Sequence, residues 1–242
     1  AVRKAWRCFS DALRHHPCLH YYTGSYFIGP AQPLVLDPDR LETLDPVFFG
    51  RFYWQWEAHA TRDRRALETA KPLFFVRPAF RAEARRGPDA GRDVGLRELE
   101  TLARLWERGV RHLAAAGRHV PPACRARYRR EWILGRHLAL TWRSAATVEA
   151  FLRLRDTIRA FSGNPALRAG HWRENRRDLL RLERMVRSEQ AVTREDWMLI
   201  RGVEFLDLSL RLDMGAASLE AMLKAKQAQL DRLLRVDLPA WR

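Results

Sequence analysis

The chain has 242 residues, of which 47% are hydrophobic and 30% are charged, and it carries a formal net charge of +15. This composition excludes a disordered chain and leaves room for one large domain or two small ones. The sequence has no apolar run long enough to predict a membrane-spanning helix. It opens with Ala1 inside a helical pattern, without the features of a signal peptide, and we expect it to be a piece of a longer protein.

The positive charge suggests a nucleic-acid partner, because basic side chains neutralise phosphates. Lysine occurs only at Lys4, Lys71, Lys224 and Lys226, so nearly all the basic residues are arginines, as a GC-rich coding sequence would give. The arginines are spread along every predicted helix, and many stand near acidic residues at helical spacing, as in RLERMVRSE. Binding of nucleic acid or of another anionic partner therefore stays an alternative hypothesis rather than the first one.

The cysteines are Cys8, Cys18 and Cys124, an odd number with no CxxC spacing. This pattern does not favour a disulfide framework, and it predicts a reducing compartment such as the cytoplasm.

The N-terminal third, residues 1–80, combines one helix with an aromatic connector. Periodicity predicts an amphipathic helix that ends at Pro17, and short extended pieces are expected at Tyr26–Ile28 and Leu34–Leu36. Asp45 as N-cap and Pro46 at the first helical position predict a second helix, and Pro72–Phe80 should be extended. The apolar face predicted for the first helix consists of Val2, Ala5, Trp6, Phe9, Ala12 and Leu13.

Residues 81–92 are charged and contain Gly and Pro, which is typical of a linker, and residues 93–242 are predicted to form an antiparallel helical bundle. The first bundle helix should end at Gly117, and a long helix from 123 to 161 should be interrupted once. After another helix around 172–186, Thr193 and Asp196 resemble a capping box that opens the next helix. A final helix follows Gly215. The expected fold is mainly α, with an irregular, aromatic-rich N-terminal third containing at most short strands.

Two groups of residues could bind a metal or act on a sugar. His15, His16, Cys18 and His20 are possible zinc ligands, but Pro17 prevents a shared helical face, so we predict no metal. A glycosidase needs a pair of carboxylates, and Glu204 with Asp207 stand one helical turn apart, although pairing with arginines is the expected role for them. No spacing singles out a pair among the N-terminal carboxylates, which are Asp37, Asp39, Glu42, Asp45 and Glu57.

Aromatic residues are the remaining feature, since no phosphate-binding loop, dinucleotide fingerprint, zinc-protease motif or nucleophile elbow occurs. The segment FFGRFYWQWEAH would place rings around a whole helix, which favours burial on several sides. Exposed rings could stack on sugars. The ligand-binding candidates are Tyr21, Tyr22, Tyr26, Trp54 and Trp56.

Three short motifs resemble the C-terminal helical region of large bacterial glycoside-hydrolase-like proteins, in which a catalytic barrel precedes a mostly helical segment. The first is W-x-x-F-S-x-A, the second G-P-A-x-x-L and the third W-x-x-G-x-x-x-L. The residues that match them here are Trp6, Phe9, Ser10 and Ala12; Gly29, Pro30, Ala31 and Leu34; and Trp106, Gly109 and Leu113.

The resemblance implies a non-catalytic region of a carbohydrate-processing enzyme, packed on a barrel that carries the acid/base carboxylates. No catalytic residue and no cofactor can be assigned to this segment. The hypothesis predicts an apolar face around Trp6, Phe48 and Trp54 that a preceding domain would cover, whereas the nucleic-acid alternative predicts arginines gathered in one stripe. A third possibility is a protein-interaction bundle without small-molecule chemistry.

Overall fold

The computed structural model describes residues 1–16, 29–30, 32–37, 44–48, 92–162, 172–203 and 218–241, and this part of the chain is mostly helical with no strand. Its five long helices are α1 (Val2–Leu13), α2 (Arg92–Ala116), α3 (Arg125–Ser162), α4 (Trp172–Ile200) and α5 (Leu219–Arg232). Short 3-10 turns at Pro46–Phe48, Gly117–His119 and Pro122–Cys124 stand outside them, and a π-helical turn, Leu233–Asp237, leads from α5 to Leu238–Ala240. Among the described residues, no helix is both long and apolar enough to cross a membrane.

Successive helices pack on one another, α1 on α2, α2 on α3, α3 on α4 and α4 on α5. The residue pairs show the direction of packing: His137 contacts Asp196, while Ser144, further along α3, contacts Glu189, earlier on α4. These two helices therefore run in opposite directions. The core consists of one cluster between α1, α2 and α3, a second among Leu34, Leu36, α3, α4 and the end of α5, and a third around Phe48.

Two predictions about helix boundaries are wrong. The helix α3 runs from Arg125 to Ser162 without the expected interruption. The helix α4 runs through Thr193 and Asp196, which are both buried in its C-terminal third and do not form a capping box. Their side chains face the interior, where Asp196 meets His137 of α3, so an N-cap pattern and an interior polar pair look alike in sequence.

Other predicted boundaries are confirmed. The helix α2 ends at Ala116, directly before Gly117, and the last helix begins after Ser218, whose hydroxyl accepts a hydrogen bond from the Ala221 backbone N–H. Asp45 caps the turn that Pro46 opens, because its carboxylate accepts a bond from the Val47 backbone N–H at 2.9 Å. Gly215 and the continuation of the predicted aromatic helix beyond Phe48 lie outside the described residues.

Where the structure describes the connector its residues are buried from Gly29 to Leu36, but the extended piece expected at Leu34–Leu36 is not a strand. Gly29 has a φ of 104°, and a Cβ there would lie 2.8 Å from a methyl carbon of Thr141, so this position needs glycine. The side-chain amide of Gln229 on α5 bonds both backbone groups of Leu34, at 3.1 and 2.8 Å. These bonds pair the backbone N–H and C=O of Leu34, as a neighbouring strand would do in a sheet.

Candidate functional site

An apolar groove of about 590 Å³ opens where α1 lies beside α2 and α3. Trp6 stands at its edge with 56% of its surface exposed, and Leu134 of α3 is also exposed. We call this the α1 groove, and its size lies within the range of sites that hold a small ligand or a few apolar side chains. The lining residues that matter here are Trp6, Phe9, Trp106, Tyr128, Leu134 and Leu138.

One wall of the α1 groove is built by Trp6 and Phe9 of the W-x-x-F motif and Trp106 of the W-x-x-G motif. The Phe9 ring lies against Trp106, with 4.7 Å between ring centroids, and Trp6 meets Phe9 edge-on at 5.9 Å. The ring fits because position 109 is glycine: a Cβ there would lie 2.4 Å from a ring carbon of Phe9. Gly109 thus lets α1 approach α2 closely, and the motif residues prove to be packing residues.

Two polar atoms of the aromatic lining, those of Trp106 and Tyr128, are already used within the protein. Trp106 Nε1 donates to the carbonyl of Gly135 at 3.0 Å, and the Tyr128 hydroxyl donates to the carbonyl of Leu113 at 3.0 Å. Burial raises the pKa of Tyr128, which stays a neutral donor. The groove therefore offers mainly ring faces and methyl groups, which suits the docking of apolar side chains better than acid–base chemistry.

The apolar face predicted for the first helix is buried only in part. Of the six α1 residues expected to share it, Ala5, Phe9 and Ala12 are buried, whereas Val2, Trp6 and Leu13 are about half exposed. Phe48 was expected beside Trp6, but this was wrong: Phe48 is fully buried in the separate third cluster with Ile200 and Met222. Burial was the expected state of its aromatic segment, and for Phe48 itself that is confirmed.

Several candidate residues lie outside the described part of the chain. These are the sugar-binding candidates Tyr21, Tyr22, Tyr26, Trp54 and Trp56, the possible zinc ligands Cys18 and His20, and the carboxylates Asp39, Glu42, Glu57, Glu204 and Asp207.

The described histidines and acids of the N-terminal third have structural partners. His15 Nδ1 lies 2.6 Å from a carboxylate oxygen of Glu98, and His16 meets the Trp142 ring edge-on. Asp37 accepts a hydrogen bond from Arg159 at 2.9 Å. Within the described residues no three His, Cys, Asp or Glu side chains converge to bind a metal.

A layer of buried polar residues crosses the interior between α3, α4 and α5, and the sequence patterns did not reveal it. Lys226 Nζ donates to Glu189 at 2.6 Å, and both side chains are 0% exposed. The Ser144 hydroxyl donates to the same carboxylate. Further along α4 from Glu189, Asp196 is also fully buried, and its carboxylate lies 2.8 Å from His137 Nδ1. Lys226, Glu189 and Asp196 have no exposed surface, whereas the His137 side chain is 11% exposed.

Burial dominates the electrostatics of this layer. It lowers the pKa of Lys226, with Glu189 acting in the opposite direction, and it raises the pKa of Asp196 although His137 opposes the shift. One oxygen of each carboxylate has no hydrogen-bond partner among the described residues. The sequence did contain one hint, since Lys226 and Glu189 interrupt the apolar stripes of their helices at core positions.

No family model, no curated protein and no solved structure matches this chain.

Proposed function

We propose that this chain is a non-catalytic helical region of a carbohydrate-processing, glycoside-hydrolase-like polypeptide, and that its α1 groove packs against the preceding catalytic domain. The observation that carries the proposal is the half-exposed Trp6 beside Phe9 and Trp106 at an apolar groove. An indole left at such a position is typical of interfaces, in which Trp contributes a large apolar area.

The motif residues give the proposal its second support. Trp6, Phe9 and Trp106, three of the residues that carry the resemblance, meet in one wall of this groove, and Gly109 lies behind the Phe9 ring. Their meeting explains why a domain of this kind would need these residue types at these spacings. The opposite directions of α3 and α4 support an antiparallel bundle for residues 93–242. A sugar contact by Tyr21, Tyr22, Tyr26, Trp54 or Trp56 remains part of the proposal.

Cross-linking from the groove tests the proposal. Cys124 is exposed and lines the α1 groove, so it can carry a thiol-reactive photo-cross-linker in the polypeptide encoded by the whole reading frame. The other two cysteines would be replaced by serine. Mass spectrometry should find cross-links to residues that precede Ala1.

A matched control places the same label on Met198→Cys in a Cys124→Ser background, because Met198 is exposed on α4, away from the groove. We expect no such cross-links from this position. The proposal would be refuted if Cys124 cross-links only within residues 1–242, or if both positions give the same upstream peptides.

A further inference from the structure

A second groove, of about 530 Å³, lies between α2, α3 and α4 and is separate from the α1 groove. Its apolar lining consists of three small residues, Ala103, Ala146 and Ala150, together with Met185. Its walls carry three arginines, Arg143 of α3 with Arg181 and Arg184 of α4, and we call it the arginine groove. Thr147 and Ser188 add hydroxyl groups, and Glu100 is the one acidic side chain among the described residues that line it.

These arginines differ from many others in the molecule because their guanidinium groups are not used internally. All three are exposed, and within the described residues none forms an ion pair or a side-chain hydrogen bond. Arg136 by contrast bridges Glu107 and Glu195, and Arg187 on α4 pairs with Glu183 one turn away. Among the described residues, the arginine groove therefore presents three guanidinium groups without an internal partner against one carboxylate, and it is complementary to an anion.

The shape and chemistry of the groove favour an acidic protein segment. A guanidinium binds a carboxylate with two parallel hydrogen bonds, and the small alanine side chains leave room for a partner helix between the arginines. Arg181 and Arg184 stand one turn apart on α4, about 5–6 Å, the same spacing as acidic residues three or four positions apart on a helix. The described lining holds no aromatic ring, so nucleic-acid bases would find no surface on which to stack.

We propose that the arginine groove binds an acidic helix of a partner protein. This inference does not depend on the proposed packing of the α1 groove, since the two grooves share no lining residue. A failure of either experiment therefore leaves the other proposal standing.

Fluorescence anisotropy on the whole chain tests the proposal with a labelled helical peptide that carries Glu at every fourth position among alanines. The variant Arg143→Gln/Arg181→Gln/Arg184→Gln should bind this peptide at least about tenfold more weakly than the unchanged chain, because it loses the charge-assisted hydrogen bonds. The same peptide with Gln in place of Glu should not bind. Circular dichroism would check that the variant keeps its helices.

The matched control is Arg3→Gln/Arg7→Gln/Arg129→Gln, which removes the same charge from exposed positions outside the groove. Its affinity should change less than about twofold at physiological salt, where distant surface charges are screened. The proposal is overturned if both triple variants weaken binding equally, or if the acidic peptide does not bind. It is also overturned if a single-stranded RNA probe binds more tightly than the peptide and loses affinity in the groove variant.

Discussion

The close approach of α1 to α2 makes Gly109→Ala the most informative single substitution. Gly109 lies under the Phe9 ring, and an added Cβ would be 2.4, 2.6 and 3.1 Å from three ring carbons. Ordinary carbon contacts are about 3.5–4.0 Å, so the ring or the whole helix α1 has to move by about 1 Å. The ring cannot simply turn aside, because Trp106 and Trp6 already contact it.

Gly135 of α3 provides a matched control, because a Cβ there would meet Leu113, Phe9 and Val110 at 3.7 to 3.8 Å, which is normal contact. Both substitutions place alanine inside a helix and gain the same helix propensity, up to about 1 kcal/mol. The difference between the two variants therefore isolates the overpacking. Such overpacking costs about 1–3 kcal/mol, and the short contacts at Gly109 place it near the upper end.

Urea unfolding followed by circular dichroism would measure both variants. We expect Gly135→Ala to unfold at or above the urea concentration of the unchanged chain, and Gly109→Ala to unfold well below it with an unchanged m value. In a chain of this length, the Tm should also fall by several degrees, at about 2–4 °C per kcal/mol. Equal midpoints for the two variants would refute the packing of Phe9 on Gly109.

Three further predictions concern buried polar groups. Glu189→Gln or Lys226→Met alone should lower the free energy of unfolding in urea by about 3–5 kcal/mol, because one buried charge loses its partner. The double variant Glu189→Leu/Lys226→Met should recover most of this loss, and additive losses would contradict the prediction. Burial raises the pKa of Asp196, so its stabilising contribution is complete below the ordinary aspartate pKa and is lost as the pH rises through the raised value. Asp196→Asn should remove the part of the fall in Tm with rising pH that comes from Asp196, and an unchanged pH profile of the Tm would contradict this prediction. Gln229→Leu leaves both backbone groups of the buried Leu34 without their hydrogen bonds, which should lower the free energy of unfolding by about 1–3 kcal/mol per group. Amide hydrogen exchange at Leu34 should become faster, and unchanged exchange would show that Gln229 does not form these bonds.

The helices were predictable because apolar residues repeat every three or four positions and because the Ser218 hydroxyl caps the start of the last helix. Leu99, Trp106, Val110 and Leu113 of α2 are all buried, as their spacing predicts. Local rules of this kind operate within a few residues, so a single sequence is enough to show them.

The partners of buried polar groups were not predictable, since they are distant in sequence. His137 and Asp196 are 59 residues apart, and nothing near Asp196 distinguishes an interior acid from the end of a capping box. The same limit applies to the α1 groove. Periodicity placed Trp6 and Phe9 on one face, but the position of α2 decides that Phe9 is buried and Trp6 is left half exposed.

The clamp that Gln229 places on Leu34 also sets an order of events during synthesis. The two residues are 195 positions apart, so the connector cannot gain these bonds until α5 has left the ribosome. Arg155, which donates to the carbonyl of Val35 at 2.6 Å, emerges earlier and can hold the connector in the meantime. The connector would then stay incompletely held for most of translation, because its buried residues Leu34 and Leu36 pack in the cluster that the end of α5 completes.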